Sequence, residues 1–175
     1  TMHSDMRLTM EDRCAEVAKL VNESDEEWIV WCNTNDESAM LAKMIPDATE
    51  VTGSKTAKFK EDAAINFSNG LIRAIISKSS IFGFGMNWQH CRNVVFVGLS
   101  YSFEDFYQAL RRSYRFGQTR QVNAYIAQAS TEGAITKAIT KKMAQHSQMQ
   151  ERMKIAALAF KNETIKSTRM KTDIN

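Results

Sequence analysis

Four arginines lie close together in the stretch QALRRSYRFGQTRQV, which begins at Gln108. At about 100° per residue, Arg111, Arg112 and Arg115 share one side of a helix with Gln108, opposite Leu110. Like charges this close repel one another unless acids or a bound anion compensate, and arginine suits the bidentate binding of phosphate oxygens. The spacing therefore predicts a phosphate-bearing ligand. The alternative is a solvated face whose arginines are favoured by the helix dipole.

The segments around this helix alternate between strand and helix patterns. Five short apolar segments are predicted as strands: WIVWCN, ATEVTG, LIRAIIS, NVVFVG and VNAYIAQ. Because they are apolar throughout instead of alternating with polar residues, they predict a parallel sheet covered by helices on both faces. Such sheets bind ligands beyond the carboxyl ends of their strands, so the chemistry is expected in the loops that follow them.

Local signals mark the ends of the predicted helices. Thr34 and Glu37 have the spacing of a capping box, and Pro46 ends the helix that follows them. Gly70 closes the next helix, and Gly117 closes the helix that carries the arginines. We therefore expect the helices and strands to alternate along the chain.

A further helical pattern runs from Thr131 to about Lys166. With 175 residues, the chain is long enough for one sizeable core. We expect residues 1–130 to form the α/β lobe, with its first helix included, and residues 131–175 to form a long helical extension that packs on it.

The composition is that of a globular protein, with 43% hydrophobic and 25% charged residues, which argues against disorder. Residues 1–65 carry a net charge of −7, residues 66–136 of +4 and residues 137–175 of +6. The basic half predicts a polyanionic partner, with solvated helix faces as the alternative. No apolar run has the ~20 residues of a membrane span, and no secretory signal is visible.

Two kinds of motif that hold phosphate groups and Mg²⁺ are missing from the chain. No GxxxxGK[ST] loop is present, and the acidic run at Asp25 comes before a strand, so we do not expect it to bind Mg²⁺.

The histidines and cysteines are too scattered for a metal site. The three cysteines are expected to be reduced core residues, which points to the cytoplasm. Trp88 is expected to anchor its loop in the core, with stacking on a base as the alternative.

The arginine helix carries a family resemblance. Its residues fit QAxxRxxRxGQ from Gln108 to Gln118 and resemble motif VI of superfamily 2 helicases, most closely the Swi/Snf-type translocases and their phage and viral relatives. The segment SKSSIFGFGMNWQH resembles motif V, with Phe82 in place of the first glycine of the family pattern. WIVWCNTNDESAMLAKMI resembles motif IV. The resemblance covers roughly residues 15–155 and implies a second, C-terminal RecA-like lobe.

The resemblance implies roles in binding and hydrolysing ATP. Arg115 would be an arginine finger on the γ-phosphate with Arg112 beside it, and Gln108 would orient the arginines or the attacking water. Gly83 and Gly85 would lie near the same nucleotide. ATP and Mg²⁺ would be held mainly by an N-terminal RecA-like lobe of the same polypeptide, so the present chain alone is expected to be inactive.

The resemblance also implies nucleic acid, expected to be DNA, as a partner. Ser79 and Asn87 are the candidates of the motif V segment, and Gln89 is a further candidate directly after it. The expected protein is an ATP-dependent DNA helicase or translocase from a phage or bacterium, cytoplasmic in a bacterium and nuclear in a eukaryote. Two alternatives stay open: a non-enzymatic basic module that binds nucleic acid or protein, and the motor subunit of a restriction enzyme.

Overall fold

The computed structural model describes residues 2–82, 87–98, 108–110, 120–129, 137, 141, 153–161 and 164–173. Three helices and seven strands have defined bounds in these residues. They are α1 (Met2–Asn22), β1 (Trp28–Trp31), α2 (Asn35–Met44), β2 (Ala48–Val51), α3 (Ala57–Ser68), β3 (Ala74–Ser77), β4 (Asn93–Phe96), β5 (Val122–Ala129), β6 (Met153–Lys161) and β7 (Thr164–Asp173).

All strands join one sheet in the order β2-β3-β1-β4-β5-β6-β7. The five strands predicted from the sequence are present and pair in parallel, which confirms the α/β prediction. Every residue of β1, β3 and β4 is buried, as expected for strands covered on both faces. The sheet and its flanking helices form a RecA-like lobe.

Alternate residues of the central strands pack into two hydrophobic clusters. Ile29 and Trp31 belong to one cluster together with Phe67 of α3, while Trp28 and Val30 belong to the other together with Val17 of α1. Because successive strand residues point to opposite faces, the two clusters cover the two sides of the sheet.

The predicted helix boundaries hold where the structure describes them. The Glu37 N–H donates to Thr34 Oγ1 at 3.1 Å and the Thr34 N–H donates to Glu37 Oε1 at 2.9 Å, which confirms the capping box. Helix α2 ends one residue before its C-cap Ile45, which directly precedes Pro46. Gly70 has a φ of 75°, the left-handed conformation that glycine adopts readily after a helix.

The C-terminal segment differs from the prediction of a helix reaching Lys166. Residues 153–161 form β6, which pairs in parallel with β5, and residues 164–173 form β7, which pairs antiparallel with β6. Only Lys137 and Lys141 of the earlier part of this segment are described, and both are helical. The helix was predicted from the local spacing of apolar residues alone. In the structure, the edge of β5 offers unpaired backbone groups, and a strand distant in the sequence can satisfy them. The predicted division of the chain into a lobe up to residue 130 and a separate extension after it stays a prediction. Strand β6 lies beyond residue 130 and extends the sheet of the lobe.

Candidate functional site

The candidate site lies at the carboxyl ends of the central strands. The Cys32 N–H donates to the Ser77 carbonyl at 3.0 Å, and the Val97 N–H donates to the Trp31 carbonyl at 3.0 Å. These two bonds bring the ends of β3, β1 and β4 to one level. The Ser77 hydroxyl adds β2 by donating to the Val51 carbonyl at 2.9 Å. The loops that follow four strands therefore begin at the same edge, where parallel α/β sheets bind ligands.

Of the predicted arginine helix, residues 108–110 are described, and they are helical. Ala109 and Leu110 are buried in the cluster that contains Trp31 and Phe96, and Gln108 is half-buried. The predicted packing of Leu110 against the sheet is therefore confirmed. Arg111, Arg112, Arg115 and Gly117 lie outside the described residues, so their assigned roles stay predictions.

The structure places the candidates of the motif V segment at different positions. Ser79 is half-buried in the loop after β3, and Asn87 is exposed, with its Oδ1 accepting from the Gln89 N–H at 3.2 Å. Gln89 directly precedes His90, whose carbonyl accepts from Arg120 just before β5. Gln89 thus lies toward the amino ends of the strands, whereas Ser79 follows the carboxyl end of β3. Gly83 and Gly85 lie outside the described residues.

Trp88 is a core residue, as the sequence predicted. Its side chain is fully buried, and its indole N–H donates to the Ala64 carbonyl at 3.3 Å. Its ring stacks on Trp31 with centroids 6.1 Å apart and meets Phe67 and Phe82 edge-on at 5.0 and 5.1 Å. A ring enclosed in this way cannot stack on a base without leaving the core.

A basic loop cluster formed by Lys55, Lys60 and Lys78 was not found by the sequence reasoning. Lys55 and Lys60 belong to the loop after β2 and the first turn of α3, and Lys78 follows the neighbouring strand β3. Lys60 Nζ donates to the Gly53 carbonyl at 3.0 Å, and Lys55 Nζ lies 5.1 Å from the Phe59 ring centroid. The absence of acids from the first turn of α3 was the available signal. Lys55 and Lys60 put positive charge beside the N-terminus of α3, an arrangement that attracts phosphates.

The acidic run near Asp25 lies at the opposite edge of the sheet, directly before β1. Glu26 Oε1 accepts from Arg92 Nη2 at 2.6 Å, and Glu26 Oε2 accepts from Asn93 Nδ2 at 3.2 Å. Burial alone would raise the pKa of this carboxyl, but the hydrogen bonds from Arg92 and Asn93 hold its pKa below the ordinary value. This carboxylate stabilises the starts of β1 and β4. Among the described residues, no group of three His, Cys, Asp or Glu side chains could hold a metal ion.

The three cysteines are free and buried, which confirms that they are reduced core residues. Burial raises the pKa of each thiol to about 12. Because the thiolate is the nucleophilic form, none of them is suited to covalent chemistry near neutral pH.

The fold defines this chain as one RecA-like lobe in which the loops after β1, β2, β3 and β4 share one edge. The model of the helicase conserved C-terminal domain matches residues 12–117, more than half of the chain. The chain belongs to that family. This confirms the helicase resemblance at the level of a helicase C-terminal domain.

Solved structures with the same fold include three helicase or ATPase chains. The C-terminal part of the Fun30 ATPase domain has a TM-score of 0.61 at 21% identity, with 70% of this chain and 43% of that chain covered. Domain 2 of the DEAD-box helicase Mss116p, bound to an RNA duplex, has a TM-score of 0.65 at 11% identity, with 77% and 56% covered. Helicase Lhr of Mycobacterium smegmatis, bound to single-stranded DNA and AMP-PNP, has a TM-score of 0.63 at 15% identity, with 74% and 18% covered.

These likenesses are to parts of longer chains, since the present chain spans about half or less of each. At such identities they show the shared fold alone. No curated protein matches the sequence significantly. Within the described part of the chain, no helix is long and apolar enough to cross a membrane.

Proposed function

We propose that this chain is the second motor lobe of an ATP-dependent DNA helicase or translocase of the Swi/Snf or phage type, acting in the cytoplasm of a bacterium or infected cell. An N-terminal RecA-like lobe of the same polypeptide would hold ATP and Mg²⁺ through a phosphate-binding loop and an acid box. The present chain would close on that nucleotide with the loops at its carboxyl edge. Hydrolysis would then open and close the two lobes, and each cycle would move the protein along DNA.

The observation that carries this proposal is the packing of residues 108–110. Ala109 and Leu110 are buried in the cluster that also contains Trp31, the last residue of β1. At about 100° per residue, the sequence spacing directs Arg112 and Arg115 away from this buried face. The arginines would thus be held at the ligand edge by a helix whose other side is fixed in the core.

The proposed chemistry is the attack of water on the γ-phosphate. Arg115 would stabilise the charge that develops on the phosphoryl group, with Arg112 beside it, and Gln108 would orient the water or the arginines. An arginine finger of this kind is worth about 10³–10⁵ in rate. Gly83 and Gly85 would let the backbone approach the nucleotide closely.

The basic loop cluster supports binding of the nucleic-acid backbone at the same edge. Lys55 and Lys78 follow neighbouring strands, and Ser79, directly after Lys78, adds a neutral hydrogen-bonding group at this edge. Asn87, whose Oδ1 accepts from the Gln89 N–H, stays a proposed contact from the motif V segment. Phosphate contacts of this type give affinity without reading the base sequence. DNA is proposed here on the resemblance to Swi/Snf-type translocases.

The test is single-turnover ATP hydrolysis by the protein that contains both lobes. Arg115→Ala should reduce the rate by orders of magnitude while ATP binding weakens only modestly, because the finger acts mainly on the transition state. Arg115→Lys should not restore it, since an ammonium cannot reproduce the planar fork. Arg111→Ala is the matched control, because Arg111 lies outside the fixed positions of the motif.

Two results would contradict the proposal. If Arg111→Ala is as damaging as Arg115→Ala, the roles assigned from spacing are wrong. If the present chain alone hydrolyses ATP and DNA stimulates that hydrolysis, then binding and hydrolysis of the nucleotide do not require a second lobe. Tight, salt-insensitive binding of one DNA sequence without any hydrolysis by the longer protein would favour the binding module.

A further inference from the structure

Phe59 is an exposed aromatic residue in the first turn of α3. Within the described part of the chain, three large hydrophobic side chains are exposed: Phe59 at 38%, Ile65 at 48% and Leu71 at 74%. Helix α3 begins after β2, at the carboxyl edge of the sheet, and ends shortly before the start of β3, at the amino edge. Phe59 is therefore the aromatic member of this set and the one that lies beside the basic loop cluster.

Hydrogen bonds hold the first turn of α3 and the loop before it. Thr56 is the N-cap residue, and its Oγ1 accepts from the Phe59 N–H at 3.1 Å. The Thr56 carbonyl accepts from the Lys60 N–H at 3.1 Å, and Lys60 Nζ donates to the Gly53 carbonyl at 3.0 Å. The backbone that carries the ring is thus fixed before a ligand arrives, so binding there loses little free energy to ordering the loop.

A cation lies over the Phe59 ring. Lys55 Nζ is 5.1 Å from the ring centroid, and residues 53–56 are all exposed. An ammonium over a solvent-exposed ring is bound more weakly than a nucleic-acid base stacked on such a ring. Because the four-carbon side chain of lysine is flexible, the Lys55 ammonium can move to a phosphate while a base takes its place on the ring.

The lysines around the ring determine which ligand suits it. Lys78 follows β3, and the last residues of β2 and β3, Val51 and Ser77, are register partners, so Lys55 and Lys78 leave the sheet at the same edge. Lysines bind the phosphates of any nucleic acid. An aromatic ring requires a base that is free to stack, and bases inside a duplex are already stacked on their neighbours.

We infer that Phe59 is a base-stacking residue for single-stranded nucleic acid, with Lys55 on the adjacent phosphate. This inference rests on the proposed function, because it names the form of nucleic acid that the basic loop cluster binds. The unpaired base, and not the sequence of bases, is what the ring recognises, since every base has a face that can stack.

The experiment measures the Kd of a fluorescently labelled oligo-dT strand for the protein that contains both lobes. Two further probes are a strand of the same length with abasic sites in place of the bases and a blunt duplex of that length. Phe59→Ala should weaken binding of oligo-dT about 5-fold to 150-fold, which corresponds to the loss of one stacked base. Its affinity for the abasic strand and the duplex should be unchanged, because the phosphate contacts remain.

Two other substitutions separate stacking from apolar contact. Phe59→Trp keeps an aromatic face and should retain the parent affinity for oligo-dT, whereas Phe59→Leu keeps apolar bulk without that face and should bind as weakly as Phe59→Ala. Ile65→Ala is the matched control, because Ile65 is an exposed apolar residue of the same helix farther from the carboxyl edge. It should leave all three affinities unchanged.

Three results would overturn the inference. The first is an unchanged affinity of Phe59→Ala for oligo-dT. The second is an equal loss with oligo-dT and the abasic strand, which would mean that the ring only supports the loop. The third is an equal loss with oligo-dT and the duplex, which would mean that no unpaired base is needed.

The outcomes separate this inference from the proposed function. If Lys55→Gln and Lys78→Gln weaken binding of all three probes while Phe59→Ala keeps the parent affinity for each, only the stacking role fails. If the parent protein binds none of the three probes, the proposed nucleic-acid interface itself fails, and the stacking role fails with it.

Discussion

Removing the Trp88 ring tests how the segment before β4 is held. Trp88 is fully buried, stacks on Trp31, and contacts Phe67 and Phe82 edge-on. Truncation of a buried tryptophan to alanine leaves a cavity and costs about 3–5 kcal/mol. Since a domain of this size is stable by about 5–15 kcal/mol, Trp88→Ala should remove about a fifth or more of the free energy of unfolding.

Trp88→Phe separates ring packing from the hydrogen bond. The Ala64 carbonyl that accepts from the indole also accepts from the Ser68 hydroxyl at 2.9 Å, so it keeps a partner when the indole is lost. We therefore expect a cost of only about 1–2 kcal/mol, from one hydrogen bond and some lost ring volume.

Urea denaturation followed by circular dichroism measures both changes, since the fluorescence of Trp88 is lost in the variants. Phe59→Ala is the control, because Phe59 is 38% exposed and surface substitutions usually change stability by about 0.5 kcal/mol or less. The reasoning is refuted if Trp88→Ala has the same midpoint as Phe59→Ala. If that variant also loses binding to single-stranded DNA, Trp88 stacks on bases instead of anchoring the core.

Three further predictions concern charge and reactivity. In the longer protein, Lys55→Gln and Lys78→Gln should each reduce the slope of log affinity for DNA against log salt by about 1, and unchanged slopes would remove the basic loop cluster from the interface. Hydrogen bonds from Arg73 hold the pKa of Asp47 below its ordinary 3.8, so the pair stabilises the fold above that pH and loses its effect as pH falls through the lowered pKa. Because the Asp47 side chain is half-exposed, Asp47→Asn should lower the free energy of unfolding by only about 0.5–1 kcal/mol at pH 7, and by progressively less below about pH 4. Urea titrations measure this loss, and a loss that grows toward acid pH would contradict the prediction. The three thiols should react with a disulfide reagent only after unfolding, because they are buried and their pKa values are raised to about 12; rapid labelling of the native chain would contradict this.

The sequence by itself determined the features that depend on neighbouring residues. The capping box of Thr34 and Glu37 spans four residues, and the left-handed turn at Gly70 requires one glycine, so both could be predicted from the chain. The five apolar strands were predicted because burial on both faces removes polar residues from every position. The arginine spacing indicated a phosphate ligand, and Leu110 is buried as that helix requires.

Only the tertiary structure decided which distant residues meet. Helical spacing near the C-terminus predicted a helix, but β6 pairs with the edge of β5, since backbone pairing between distant segments outweighs a weak local preference. Gln89 lies toward the amino ends of the strands because its two neighbours are held in place. Trp88 is buried and bonded to the Ala64 carbonyl, and the His90 carbonyl accepts from Arg120 just before β5. Arg13 Nη2 lies 3.5 Å from Glu37 Oε2, and a Cβ added to Gly98 would lie 3.8 Å from that oxygen. These residues are separated by 24 and 61 positions, and Glu37 and Gly98 meet because β1 and β4 are neighbours in the sheet. Sequence spacing carries no information on such contacts, since strand order is set by the packing of the whole chain.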